Sequence, residues 1–510
     1  MSNIPEITLE VAPFGTEYTT LQAALDQAGQ NRKNGIATKI LVAPGIYRES
    51  VVFDGSLYDF AEDLPPITIE GPDTEAYVSG ALPVYGWEKT GAEYTAPLTD
   101  EMIHFLTHAG DIYLPNGVCE NPWPGDCQAS DSVFANGLLI SCVNMYYRVL
   151  HEEEYKPGTF RLDFENKIIT VIPKYSWDEF VETDAELACR AAPMILRNTR
   201  NIEIYRLRFV RSGWGGWSAA APIPAGLYIE NCEDILIDWC LCVENRGQGF
   251  QMHKVRRLEA FWLLAYDNGN MGIGGDCGGY LEDLTLDVYV ANNNWVGEKF
   301  GWTFYDPCGA KFLNLRRSKI SDSSFSKNFG TGLWLDTGCE DIEIIDTRFE
   351  GNKWDGVQLE ANPGRITFRD CRFTGNNGAI GIICTPHVTL EDCKIFGNKH
   401  AVQLNDDEGA GRFGYHTEHL TVTGCEIAAA EKPIYELSYW QPGSIGGNGA
   451  YFRRFAESFR GERNAYSHPE PERAFLLSAQ DEPYFGTLQA WREQASREKS
   501  IIIIKKKHEN

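Results

Sequence analysis

The chain has 510 residues, 43% of them hydrophobic, so it is long enough for several ordinary domains or for one elongated repeat array. Lysine and arginine total 46 against 72 aspartates and glutamates, a formal charge of −26. That balance excludes the basic stripe of a nucleic-acid binder and disfavours polyanionic glycans, although a local basic groove remains compatible with an acid sugar.

At the N-terminus, MSNIPEITLEVAPFG has no basic stretch followed by an apolar one, and no apolar run anywhere is long enough to span a bilayer. The expectation is a soluble, cytoplasmic protein with no membrane partner; a signal removed in processing would leave the same sequence on a secreted one. TTLQAALDQAG then reads as a helix opened by a capping box from Thr19 to Gln22, suited to covering the end of a repeat array. The alternating runs Ala37–Phe53 and Ile67–Gly71 read as first strands, which makes residues 1–85 a cap and opening coils. Between 86 and 190 strand-like runs continue without the period, as an inserted β-rich subdomain. Residues 191–445 carry the repeat, and 446–510 read as a C-terminal cap and tail with a helix around TLQAWREQASRE.

The repeat is the strongest signal. ISDSSFSKN from Ile320, IIDTRFEGN from Ile344, FRDCRFTGN from Phe368 and LEDCKIFGN from Leu390 follow one another at steps of 24, 24 and 22 residues. Each step holds short alternating runs broken by Gly and Asn, with no 3.6-residue stripe. That pattern implies several strands per coil rather than helix pairs, hence an all-β right-handed parallel β-helix. Asn328, Asn352 and Asn376 are expected to stack at one corner, where Asn tolerates the left-handed conformation and its amide bonds from coil to coil. The fourteen cysteines lack paired zinc or redox spacing. Cys371, Cys393 and Cys425 fall at matching places and read as a ladder of small buried thiols.

Eight residues after each turn Asn one position recurs, occupied by His253, Asp276, Asp336 and Glu360, with Cys384 and Asn405 following. Alternation puts Trp334 beside Asp336 and Gln358 beside Glu360 on the outer face, and turns Leu333, Leu335, Val357 and Leu359 inward. Neighbouring coils stack at about 4.8 Å, close to the 5–5.5 Å between the two carboxyls of a retaining glycosidase. Two carboxylates so close do not both ionise freely, which supplies a proton donor. Solvated acids decorating a solenoid would line up by the same period, but unpaired like charges stacked together are destabilising.

His253 and Asp276 are candidates to orient a substrate. Tryptophan faces stack on sugar rings, so Trp295, Trp302 and above all Trp334 are candidate platforms, with Trp354 close by. NNNWVGEKFGWTFYDPCGAKF (Asn292–Phe312) interrupts the 24-residue step like a loop beside a functional face, and Lys311 stands where the chain rejoins the coil, either solvated or bonded within the cleft.

GLWLDTGC from Gly332 followed by GVQLEANPG from Gly356 resembles the β-helical β-xylosidases of glycoside hydrolase family 120. The resemblance implies Asp336 as nucleophile and Glu360 as acid/base, with Gly309, Lys311 and Phe312 matching the family's preceding strand, an oligosaccharide substrate and no cofactor. It is specific over the two acid strands and general elsewhere, so the sugar stays open.

Two other classes share this layout. A polysaccharide lyase would hold Ca²⁺ on Asp276, Asp336 and Glu360 and use a Lys or Arg as base on a uronate. A non-catalytic carbohydrate-binding β-helix would use the aromatics and dispense with the acids. A homo-oligomer is compatible with each.

Overall fold

The computed structural model describes residues 4–61, 63–73, 75–107, 132–135, 138–141, 159–172, 185–213, 225–245, 247–275, 279–291, 308–406, 414–429, 432–437, 449–478, 484–495 and 497–502. They fall into two compact units, one of Met1–Val255, Trp262–Gly274 and Asn294–Phe304, the other of Arg256–Phe261, Gly275–Asn293 and Tyr305–Asn510.

In the first unit, strands Glu6–Val11, Ala37–Val42, Ile67–Glu70, Arg200–Tyr205 and Ala225–Asp238 pair in parallel, one coil on the next. Leu9, Ile40, Ile69, Ile204 and Ile237 share one register column and are all buried. A helix, Leu21–Lys33, packs its Leu21, Ala24, Leu25 and Ala28 face inward. Its cap is Thr20 rather than the expected Thr19. Thr20 accepts the Ala23 N–H, while Glu49, in the connection between the strands Gly45–Tyr47 and Val51–Asp54, takes the N–H groups of Leu21 and Gln22, so the helix needs no capping box.

After Ser79 the chain leaves the coils for two four-stranded sheets in which every pairing is antiparallel. It returns at Met194–Arg197, which pairs in parallel with Val51–Asp54. The intervening segment has its own buried core of Leu82, Tyr94, Leu162, Ile169, Val171 and Leu187.

The second unit shows why the repeat has its length. Each coil carries three short strands, such as Thr331–Asp336, Glu340–Ile345 and Arg348–Glu350, joined by short turns that contain residues of positive φ. Asp322, Asp346, Asp370 and Asp392 take that conformation at 46–55° and are exposed, which accounts for the recurring Asp, a residue that tolerates the left-handed region. At the next corner the left-handed residues are Lys327, Gly351, Gly375 and Gly397. The Asn that follows each is not left-handed, contrary to expectation, and acts through its amide instead. Asn328 donates from both its backbone N–H and its Nδ2 to Asn352 Oδ1 at 3.0 Å. Asn352 does the same to Asn376, and Asn376 to Asn398, at 2.9–3.0 Å. All four are buried, so the ladder satisfies polar groups the coil stack removes from water.

Inside, Phe325, Phe349 and Phe373 stack at centroid distances of 5.6 and 4.9 Å. Cys371, Cys393 and Cys425 are buried, with the Cys393 N–H donating to Cys425 Sγ. The ten described cysteines are all buried. Parallel pairing also runs on past residue 445. Arg460–Ser467 pairs with Thr421–Thr423 and Glu426–Ala428, then with Glu498–Ile502. Asn464 follows Cys425 in the cysteine column, accepting the Cys425 N–H through its amide. The step to it from Cys425 is 39 residues, after one of 32 from Cys393 to Cys425, and the helix Gly449–Ser458 lies within that coil, so the longer step hides the period.

Candidate active site

Six rungs of the second unit build one face: Cys308–Leu313, Thr331–Asp336, Asp355–Glu360, Gly378–Ile383, His400–Asn405 and Tyr435–Leu437. Leu333, Leu335, Val357 and Leu359 are fully buried in the core, which turns the alternate residues outward. Register then fixes the columns. Leu313, Asp336, Glu360, Ile383 and Asn405 follow one another from rung to rung. Lys311, Trp334, Gln358, Gly381, Gln403 and Glu436 form a second column beside them. Ile383, not Cys384, stands in the acid column, since the coil from Asn376 is already one residue shorter; Cys384 is the left-handed corner residue after it.

Asp336 and Glu360 are therefore direct neighbours on adjacent rungs. Lys311 Nζ lies 2.9 Å from Asp336 Oδ2, and the Thr337 hydroxyl donates to Asp336 Oδ1 at 2.8 Å. Gln358 Nε2 donates to Glu360 Oε2 at 2.9 Å, and Glu360 is only 9% exposed. Lys311 is itself buried and sits 3.7 Å from the centroid of the Trp334 ring, between a carboxylate and an aromatic face. Trp334 is thus half-buried under a cation rather than freely outward, and its Nε1 has no hydrogen-bond partner among the described residues. The arrangement has one carboxylate with a fixed countercharge and one oriented by an amide, side by side.

Two more site residues emerge that the turn-to-acid spacing does not single out. Asp355 opens the third rung, immediately after Trp354, which is 43% exposed. Burial drives its carboxyl up to about 6, against the opposing pull of the His400 charge and the Gly378 N–H. His400, one rung beyond Gly378, pairs through Nδ1 with Glu436. A signal did exist: the next rung carries glycine at both positions facing Asp355 and Gln358, an absence that a search for acids passes over.

Of the other expected residues, His253 lies in the first unit on the strand Gln248–Tyr266, half-buried and alternating with the core residues Phe250 and Met252. Asp276, Trp295 and Trp302 lie outside the described residues. Among the described residues no group of three His, Cys, Asp or Glu is arranged to hold a metal ion.

A family model described as a right-handed beta helix region matches residues 265–389. No curated protein matches the sequence. Among solved structures, XylC, determined in complex with xylose, aligns over 98% of this chain and 83% of its own at 13% identity and a TM-score of 0.54. A glycoside hydrolase aligns over 90% of this chain and 96% of its own at 10% identity and 0.53. The A-module of the Azotobacter vinelandii mannuronan C-5 epimerase AlgE4 aligns over 88% and 90% at 13% identity and 0.44. What this chain has in common with the first two, at such identities, is its fold: a right-handed parallel β-helix.

Proposed function

We propose that this protein is a glycoside hydrolase that cleaves neutral oligosaccharides, β-xylosidase-like, by a retaining double displacement. The observation that carries the reading is the register of Asp336 with Glu360 on adjacent rungs, since rung spacing of about 4.8 Å brings two carboxyls to the separation that retention requires. Asp336, held by Lys311 and Thr337, attacks the anomeric carbon as Glu360 gives its proton to the departing oxygen. Glu360 then takes a proton from water, which attacks the same carbon and releases Asp336. Gln358 fixes the direction of Glu360 through both steps, and Trp334 packs Lys311 against Asp336. The fold shared with XylC, whose structure holds xylose, and with a second glycoside hydrolase supports the same reading.

The two acids should fail differently. Asp336→Ala should abolish turnover of every glycoside, because no covalent intermediate forms. Glu360→Ala should keep activity on aryl glycosides whose leaving groups need no proton, and azide should rescue it to a glycosyl azide of retained configuration. Equal residual activity of both variants, or inverted product by NMR, would remove the assignment. An unsaturated, ultraviolet-absorbing end released from a uronate polymer would replace it with a lyase.

A further inference from the structure

In the second unit, Asp322, Asp346, Asp370 and Asp392 hold one corner of successive coils in the left-handed conformation. In the first unit the same corner carries tryptophan in two successive coils. Trp239 and Trp262 each stand two residues before a member of the paired column Leu241 and Leu264, and take φ of 55° and 51°. Cys240, after Trp239, donates its thiol to the Ile204 carbonyl of the preceding coil, as Cys371, after Asp370, does to that of Ile344, which fixes the equivalence. Aspartate tolerates this backbone, whereas for a bulky indole it is a strained one. The two tryptophans are also 55% and 60% exposed, although a residue of this size is normally drawn largely out of water. Their ring planes lie within 17° of each other with centroids 5.7 Å apart, so adjacent coils present them as one aromatic surface. Strain and exposure at both positions argue for a role outside the packing of the coil.

We propose that Trp239 and Trp262 form a second, non-catalytic glycan-binding platform, for an uncharged β-linked chain of the xylan or glucan type. Sugars of that class carry equatorial hydroxyls, so their ring C–H groups form flat faces that pack on an indole while the hydroxyls project at the edge. Polar groups accompany the rings. Asp238 precedes Trp239 in its strand and pairs in register with Tyr205 of the coil before, and both are half-buried, an acceptor and a hydroxyl suited to sugar O–H groups. Beyond the corner Leu241 and Val243 are buried, and among the described residues no other large hydrophobic of the first unit is exposed on the strands Ala225–Asp238 and Gln248–Tyr266. The open aromatic surface is therefore limited to two indoles. That area suits a short stretch of sugar chain and falls far below the roughly 800 Å² per partner of a stable protein interface. The formal charge of −26 favours an uncharged chain over a polyuronate. The tryptophans belong to the first unit and the acid pair to the second, so the platform is a site of its own. It rests on the hydrolase reading only for the choice of xylan as a probe, and its binding is measured without turnover.

Affinity electrophoresis of the full chain in gels containing neutral arabinoxylan or hydroxyethyl cellulose reads this binding directly. Wild type should be retarded by at least one of the two polymers. Trp239→Asp and Trp262→Asp restore the residue that the second unit uses at this corner, so thermal melts should show both variants and their combination folded. Each single variant should bind about threefold to tenfold more weakly, the scale of one lost aromatic contact, and the double variant should migrate as it does without polymer. Trp262→Tyr, which keeps an aromatic face, should retain most of the retardation. Turnover of a small aryl xyloside should be unchanged in kcat and KM throughout. Wild type retarded by neither polymer would overturn the proposal, as would a folded double variant retarded as strongly as wild type. A double variant that passes from dimer to monomer in light scattering, with retardation unchanged, would assign the surface to a second copy of the chain instead. A protein that is retarded through these tryptophans yet hydrolyses no glycoside would overturn the hydrolase reading and leave the platform standing.

Discussion

At the scale of the residue, Asp355 ties protonation to stability. Its folded carboxyl keeps its proton up to about pH 6 because burial penalises the charge, whereas an unfolded aspartate releases it near pH 4. The folded state therefore holds more protons between those values, and stability falls as pH rises through them, by at most ~3 kcal/mol. Asp355→Asn has no such proton to lose. Its unfolding free energy in urea should match that of wild type near pH 4 and exceed it by about 1–3 kcal/mol at pH 7.5. A difference independent of pH would show that this carboxyl does not set the trend. The acid pair and this third acid differ in how they could be read from sequence. Asp336 and Glu360 lie a fixed number of residues after Asn328 and Asn352, so counting brings them together. Asp355 lies only three residues after Asn352 and is accommodated by glycines at 378 and 381 in the following coil, so a count from the turn to the acids passes over it.

At the scale of the element, the asparagine corner is the polar counterpart of the stacked phenylalanines. Asn352 Oδ1 takes two donors from Asn328, while its own Nδ2 donates to both Asn376 Oδ1 and the Phe325 carbonyl. Asn352→Ala would leave several of these groups buried and unpaired and should cost about 2–4 kcal/mol by urea unfolding, against about 1 kcal/mol for the exposed Asp346→Ala, where only the left-handed backbone is strained. Equal effects would mean that the ladder is not a source of stability. The coil strands were readable because apolar residues alternate at an unbroken step. The exact corner was not, since Gly351–Asn352 offers two residues suited to a left-handed turn and only the paired coils decide which one takes it. The cap of Leu21–Lys33 shifted for a related reason, as Glu49 reaches the helix from 27–28 residues away and accepts the Gln22 N–H that local sequence assigns to the Thr19 hydroxyl.

At the scale of the whole molecule, loss of the period located both departures from the coil but not their content. The segment after Ser79 proves to be two antiparallel sheets with a core of their own, and the 39-residue step near the C-terminus conceals a further coil. Periodicity is evidence only where steps are equal. Where they are equal, distance across the site is quantised: side chains one repeat apart in sequence are one rung apart in space. A coil duplicated between Asp336 and Glu360 would carry the carboxyls from about 4.8 Å to ~9.6 Å, from the retaining range to the outer limit of the inverting one. Such a variant should lose double-displacement turnover while keeping its fold, and any hydrolysis that survives should release sugar of the opposite anomeric configuration, resolved by NMR within the first minutes of reaction. On the retaining reading proposed above, the stereochemical course of the reaction would be set by a count of coils.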